Sequence, residues 1–200
     1  MRRFGIGRDE SVALMGMKGT GKTTLGRVLA HEMGPVLAWD PFGQYGAPIR
    51  SYRPPVMDDA NDLDRIAAHL FELGRQGHPN TLLVEEAEQV LPEGMPLPRS
   101  YKQYALMGRN LGLRTILNTR RPQGVSKMAL RNSNDHLFIF KLEGGDIDWL
   151  VKVLGKRHAA QLREMETWVK DPRQGGGRFL QYHDGELREH KPLAASMAKR

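Results

Sequence analysis

The sequence predicts an α/β fold: an open, mainly parallel sheet flanked by helices. Three observations lead to it. Short apolar runs alternate along the chain with segments whose apolar residues recur every three or four positions. One of these runs, Thr81 to Val84, is uninterrupted, as expected of a strand covered on both faces of a parallel sheet. A glycine-rich loop also joins the run Ser11 to Met15 to a helical pattern starting at Lys22, and folds of this kind place their sites at the carboxyl ends of the strands.

The elements follow in order. After the first strand and the loop, Leu25, Val28, Leu29 and Met33 lie at helical spacing over Lys22 to Met33. Pro35 to Trp39 is a second strand, closed by the turn-forming Asp40-Pro41-Phe42-Gly43, and the segment up to Met57 reads as loop. From Asp62, the positions Leu63, Ile66, Ala67, Leu70 and Phe71 share one helical face, which ends near Gly74 and Gly77. The buried strand Thr81 to Val84 is followed by a Pro-rich loop, Leu91 to Pro98, and a helix over about 100–110. Leu113 to Thr119 and His136 to Leu142 supply two further strands. Asp146 is placed to cap a helical region that runs to about Met165 and breaks near Gly155. Phe179 to Tyr182 and Glu186 to Arg188 flank Asp184-Gly185 as a C-terminal β-hairpin. This reads as a single domain over 1–200, with a core of about 11–165 and a hairpin and tail of about 175–200. The low-complexity patch Gly175 to Gly177 and the basic ending Lys199-Arg200 lie in that last part.

Composition narrows the chemistry. The chain has no cysteine, which removes disulfides, thiolate catalysis and cysteine zinc sites, and its seven histidines lack the spacing of metal ligands. Carboxylates, Lys, Arg and hydroxyls are left to do the work. A net charge of +7 suits a polyanionic partner, of which nucleic acid is the commonest. No apolar stretch approaches the roughly 18 residues that cross a bilayer, and no apolar segment follows the basic start Met1-Arg2-Arg3. The expectation is a soluble protein that stays where it is made and does not insert into a membrane.

Gly16-Met17-Lys18-Gly19-Thr20-Gly21-Lys22-Thr23 matches the GxxxxGK[ST] pattern of a P-loop, between the strand and the helix that the pattern requires. Its glycines let successive N–H groups turn towards phosphate oxygens at a helix N-terminus. Lys22 then supplies charge to the β and γ phosphates of ATP, the Thr23 hydroxyl is a ligand for Mg²⁺, and Thr24 reaches the α phosphate. Lys18 reads as a solvated loop residue. Glu85 and Glu86, at the end of the buried strand, complete an acidic pair: Glu85 for the metal and Glu86 to polarise a water as general base. The alternative for the pair is a solvated acidic start to a helix over Ala87 to Leu91.

Asp40-Pro41-Phe42-Gly43-Gln44-Tyr45 resembles the Asp-Pro-x-Gly-Glu-Tyr segment after the same strand in HerA-like proteins. Gly108 to Pro122, with Arg109, Gly112 and Thr119-Arg120-Arg121-Pro122, is similar to the Arg-x-x-Gly-Ile…Thr-Gln-Arg-Pro stretch of the HerA and FtsK superfamily. The likeness spans about 11–142.

This resemblance implies a single P-loop NTPase domain with sheet order 5-1-4-3-2, and a homo-oligomeric ring, usually a hexamer, that threads double-stranded DNA. It places Glu85 where the family has Asp. It also places Arg120 at a sensor position where the family has Gln, with Asn118 as the other group able to sense the nucleotide. Arg109 matches a finger inserted into the neighbouring subunit's site. The absence of accessory domains resembles the genome-packaging ATPases of tailless, membrane-containing viruses, which work in the host cytoplasm or at a virion vertex, on a capsid-vertex or membrane-protein platform. Lys127, Arg131, Lys152, Lys156 and Arg157 are candidate DNA contacts. Competing readings are a DNA-transfer ATPase of conjugation or chromosome processing, an ATP-dependent assembly switch, and a small-molecule kinase.

Overall fold

The computed structural model describes residues 4–47, 49–132, 134–168 and 177–193. Most of the Gly175 to Gly177 patch, and Lys199-Arg200, lie outside them. One eight-stranded sheet organises the chain: β1 (Val12–Met15), β2 (Val36–Trp39), β3 (Arg50–Tyr52), β4 (Thr81–Val84), β5 (Arg114–Thr119), β6 (His136–Phe140), β7 (Phe179–His183) and β8 (Glu186–His190). Their order across the sheet is β3-β2-β4-β5-β1-β6-β7-β8. The first six are parallel, and the hairpin β7–β8 adds antiparallel to β6. The five strands read from the sequence ahead of the hairpin stand in the expected 5-1-4-3-2 order.

Alternation along the strands assigns the two faces. Val12, Leu14, Ala38, Leu83, Ile116 and Phe138 meet Leu25 and Leu29 of α1 (Lys22–Glu32), and Met33 just past its end, on one side. Ala13, Met15, Leu82, Val84, Leu117 and Ile139 point the other way. There they pack under α2 (Ala60–Arg75), α4 (Arg99–Met107), α5 (Gly145–Leu154) and α6 (Ala159–Glu164). Leu14 has no exposed surface, so Leu14→Ala would cost about 2–5 kcal/mol in lost transfer energy and cavity formation.

Three elements differ from the sequence reading. The segment expected to be loop up to Met57 contains β3, whose register Leu37↔Arg50 to Trp39↔Tyr52 extends the sheet. A three-residue polar edge strand has no apolar alternation to announce it. The helix expected over about 100–110 ends at Met107 and tightens into a 3-10 turn, Gly108–Leu111, where Gly112 takes a left-handed conformation with φ 69°. Asp146 does not cap α5: Gly144 holds the cap position, and Asp146 sits inside the first turn, where it still favours the dipole. The predicted break at Gly155 is present, with φ 105° between α5 and the turn leading to α6. The short α3 (Ala87–Val90) follows β4 directly.

Candidate active site

β1 ends at the glycine loop, and the first of its glycines is required by contact as well as conformation. Gly16 has φ 150°, and a Cβ there would lie 2.6 Å from Cβ of Phe140 on the neighbouring strand. The loop is hung between strands: Gly16 N–H donates to Thr119 O (3.2 Å) and Met17 N–H to Lys141 O (2.9 Å). Its far side is held by Gly177, whose N–H donates to Thr20 O (2.8 Å) just ahead of the hairpin. Within the loop, the Thr20 hydroxyl donates to Met17 O (2.8 Å). Met17 and Lys18 are exposed, as the solvated reading of Lys18 expects, and Gly21 leads into α1.

Lys22 turns back over the loop, and its ammonium donates to Gly16 O (2.6 Å) and Met17 O (3.0 Å). Burial pulls its pKa down to about 8 against the opposing pull of Glu85 and Glu86. A buried lysine bonded to two carbonyls is a cation waiting for an anion. Thr23 and Thr24 stand half-buried on the first turn of α1, and the Thr23 hydroxyl donates to Gln44 Oε1 (3.0 Å).

β4 delivers both acids. Glu85 is buried, and its Oε1 accepts from the Tyr45 hydroxyl and from Asn118 Nδ2 (2.7 Å). Burial raises its pKa. Glu86 takes the left-handed conformation, φ 52° and ψ 48°, which costs a non-glycine residue on the order of 1 kcal/mol. That turn points it into the same cavity, where its Oε1 meets the Arg120 guanidinium at 2.6 Å. Burial and then the neighbouring Glu88 raise its pKa. Glu88 in turn accepts from Arg120 N–H (3.1 Å), so the end of β5 is tied to the turn after β4.

These groups line one cavity of about 350 Å³: Lys18, Gly19, Lys22, Thr23, Phe42, Gln44, Glu85, Glu86, Asn118 and Arg120. Asn118 Oδ1 in its wall, and Asp40 Oδ1 and Glu88 Oε2 on the segments that follow β2 and β4, are buried without hydrogen-bond partners. A glycine loop at a helix N-terminus, a buried lysine and partnerless oxygens fit a nucleotide phosphate chain and a hydrated cation. The donor set fits Mg²⁺ as well: hard oxygens from Thr23 and Glu85.

Arg109 is not in this cavity. It is exposed at the opposite, amino-terminal end of the sheet, 3.5 Å from Asp135. Among the DNA-contact candidates, Lys127 pairs with Glu93 (3.5 Å), and Arg157 donates to Gly185 O (2.7 Å), which ties it to the hairpin turn. Arg131, Lys152 and Lys156 are exposed. The histidines, scattered in sequence, are partly gathered by the fold: Glu10, His136 and His183 come within 4.8 Å of one another. The wiring there favours hydrogen bonding over a metal. Gln181 Nε2 donates to Phe4 O (2.9 Å) and to His136 Nδ1 (3.0 Å), which leaves the His136 Nε2 proton to donate to Glu10 (2.8 Å). The two imidazoles are stacked at 3.9 Å, so their lone pairs run side by side instead of converging. Gln44, Tyr45 and Glu88 are site residues to which sequence reasoning gave no role. The first two lay in a quoted motif, and Glu88 had only its closeness to the acidic pair as a signal.

A mainly parallel sheet in the order 5-1-4-3-2, with a glycine loop on the central strand and two acids on the strand one removed, defines the P-loop NTPase fold class. No family model and no curated protein matches the chain by sequence. Solved structures do. The genome packaging NTPase B204 from Sulfolobus turreted icosahedral virus 2, in complex with AMPPCP, is similar with a TM-score of 0.77 and 15% identity, over 94% of this chain and 99% of that one. The same protein with ATP-gammaS gives 0.73 and 16%, over 94% and 100%. The N-terminal domain of zonular occludens toxin from Neisseria meningitidis shares the fold at 0.57 and 14%, over 95% and 97%.

Proposed function

We propose that this chain is an ATP-hydrolysing motor that translocates double-stranded DNA and packages a viral genome into a preformed capsid. The observation that carries the reading is the convergence of Lys22, Thr23, Glu85, Glu86 and Arg120 on one cavity at the carboxyl ends of β1, β4 and β5. A likeness of fold to a packaging NTPase over nearly the whole chain supports it.

In this reading the loop amides and Lys22 bind the ATP phosphates, while Thr23 and Glu85 hold Mg²⁺, which when bound neutralises charge developing on the phosphates. Glu86 accepts the proton of the attacking water. Burial raises its pKa, which makes it a stronger base than a solvated carboxylate. Arg120 occupies Glu86 in the structure and is able to pair with a γ phosphate instead, which frees the carboxylate as the substrate arrives. Arg109, solvent-facing and remote from its own cavity, acts in this reading on the site of a neighbouring subunit of a ring. The setting is the host cytoplasm, or a capsid vertex or membrane-protein platform on which the ring assembles.

The test is an ATPase assay at low salt with and without a linear duplex several kilobases long. Turnover should rise with DNA irrespective of its sequence, and binding should weaken steeply with salt as phosphate contacts release counterions. Turnover indifferent to duplex DNA, with no salt-sensitive binding by the assembled ring, would replace the motor with an assembly switch.

A further inference from the structure

We propose that the 40–46 loop positions the metal-holding groups: Tyr45, with Asn118, fixes the carboxylate of Glu85, and Gln44 fixes the hydroxyl of Thr23. The proposal deepens the reading of the cavity as a nucleotide–Mg²⁺ site and rests on it.

The loop touches both groups from one short segment. Tyr45 donates its hydroxyl to Glu85 Oε1, and Gln44 Oε1 accepts the proton of Thr23 at 3.0 Å. Each bond has the polarity that metal binding needs. A threonine that donates its proton sideways keeps its oxygen lone pairs for a cation. A carboxylate that accepts two hydrogen bonds on Oε1 is held in one orientation and has its other oxygen left for the cavity it lines. Asn118 Oδ1, buried and without a partner, gives a nearby acceptor for a metal-bound water.

The loop is itself built rigidly. Tyr45 N–H donates to Asp40 Oδ2 (2.8 Å), and Tyr45 O accepts from the hydroxyl of Ser51 on β3 (3.2 Å). Arg27 of α1 donates to Gln44 O. The tyrosine hydroxyl reaches Glu85 only because residue 26 of α1 is glycine: a Cβ there would lie 2.6 Å from that oxygen. A mid-helix glycine is less favourable than alanine, so the space has a cost that the contact must offset. Glu85 has one more rotatable bond than aspartate at the same place, and the paired bonds from Tyr45 and Asn118 remove that freedom.

The experiment measures binding of the non-hydrolysable analogue AMPPCP by calorimetry, in EDTA and across a Mg²⁺ titration. Tyr45→Phe deletes one buried hydroxyl. The expected result is unchanged affinity in EDTA and a Mg²⁺ midpoint raised about 10–100-fold, the usual cost of losing a group that orients a metal ligand. In a Glu85→Asp background, whose shorter side chain does not reach the hydroxyl, Tyr45→Phe should add nothing. An unshifted Mg²⁺ midpoint, an equal loss in EDTA, or full additivity with Glu85→Asp would overturn the proposal. Thermal unfolding checks that the variant folds; should Tyr45→Phe not fold, Asn118→Leu carries the same predictions, and Gln44→Leu should raise the Mg²⁺ midpoint in both the native and the Glu85→Asp backgrounds, since it acts on Thr23. The two readings fail separately. Mg²⁺-dependent binding without hydrolysis by the native protein would sink the motor and leave the positioning role standing. Hydrolysis with an unshifted midpoint in the variants would do the reverse.

Discussion

At the carboxyl ends of β1, β4 and β5, charged groups are held in reserve; at the amino ends of β1, β5 and β6, they are used up. In the first region Lys22 bonds only to carbonyls, two carboxylates have raised pKa values, and oxygens of Asp40, Glu88 and Asn118 lack partners. In the second, Ser11 N–H donates to Asp135 (2.8 Å), Thr115 N–H to the Ser11 hydroxyl (2.9 Å), and hydrogen bonds run in a chain from Glu10 through His136 and Gln181 to His190. Buried polar groups are costly unless paired. A region that tolerates several unpaired ones is arranged for a ligand, whereas a largely paired one fastens the N-terminal segment and the hairpin to the sheet.

Arg109 is the residue that would break this division, because it belongs to the paired end yet is expected to act in catalysis. In an assembled ring, Arg109→Ala should lower turnover about 10³-fold, the lower range for a finger. Mixing it with Glu86→Gln subunits should restore part of the activity at interfaces that combine one intact residue from each side. A monomer with full ATPase activity would return Arg109 to a structural role. Glu86→Gln is next in size: hydrolysis should fall roughly 10²-fold or more with nucleotide binding retained, while Lys22→Ala should lose binding. Near-normal turnover in Glu86→Gln would remove Glu86 from the chemistry.

Much of this was legible because it is local. The P-loop, the buried strand Thr81 to Val84 and its acids are contiguous in sequence, and the periods of α1 and α2 follow from their own apolar positions. What the sequence hid depends on distant partners. Tyr45 meets Glu85 forty residues away, His136 meets Glu10 across 126, and β3 is a strand only because β2 offers it an edge. The left-handed turn at Glu86 and the Arg120–Glu86 pair were hidden likewise, since only the fold shows where two loop ends meet.

A pH titration sharpens the comparison at the nucleotide end. Free Lys22 has a pKa of about 8, below its ordinary 10.5, because it is buried. Phosphates prefer the charged form, so above pH 8 binding must take up a proton. Affinity for nucleotide should therefore fall about tenfold per pH unit above 8, since one coupled proton changes the binding constant by that factor. Affinity that stays flat from pH 7.5 to 9.5 would show that Lys22 is already charged throughout.

The smallest effect is expected at the other end. Burial lowers the pKa of His136 below 6.5 even though Glu10 opposes it, so the folded protein holds this imidazole neutral more strongly than the unfolded chain does. A depressed histidine contributes stability that is fully present above pH 6.5 and is lost as the pH falls through that value towards the folded pKa. His136→Gln removes the titration and the charge-assisted bond to Glu10, at a cost of about 1–2 kcal/mol in neutral solution. Urea unfolding of both proteins at pH 7 and pH 5 should show the wild-type advantage shrinking on acidification, while nucleotide affinity stays within about twofold because no member of this cluster lines the cavity. An advantage that widens at pH 5, or a nucleotide affinity that follows the substitution, would mean that the two ends of the sheet are coupled and that the paired end is more than a fastening.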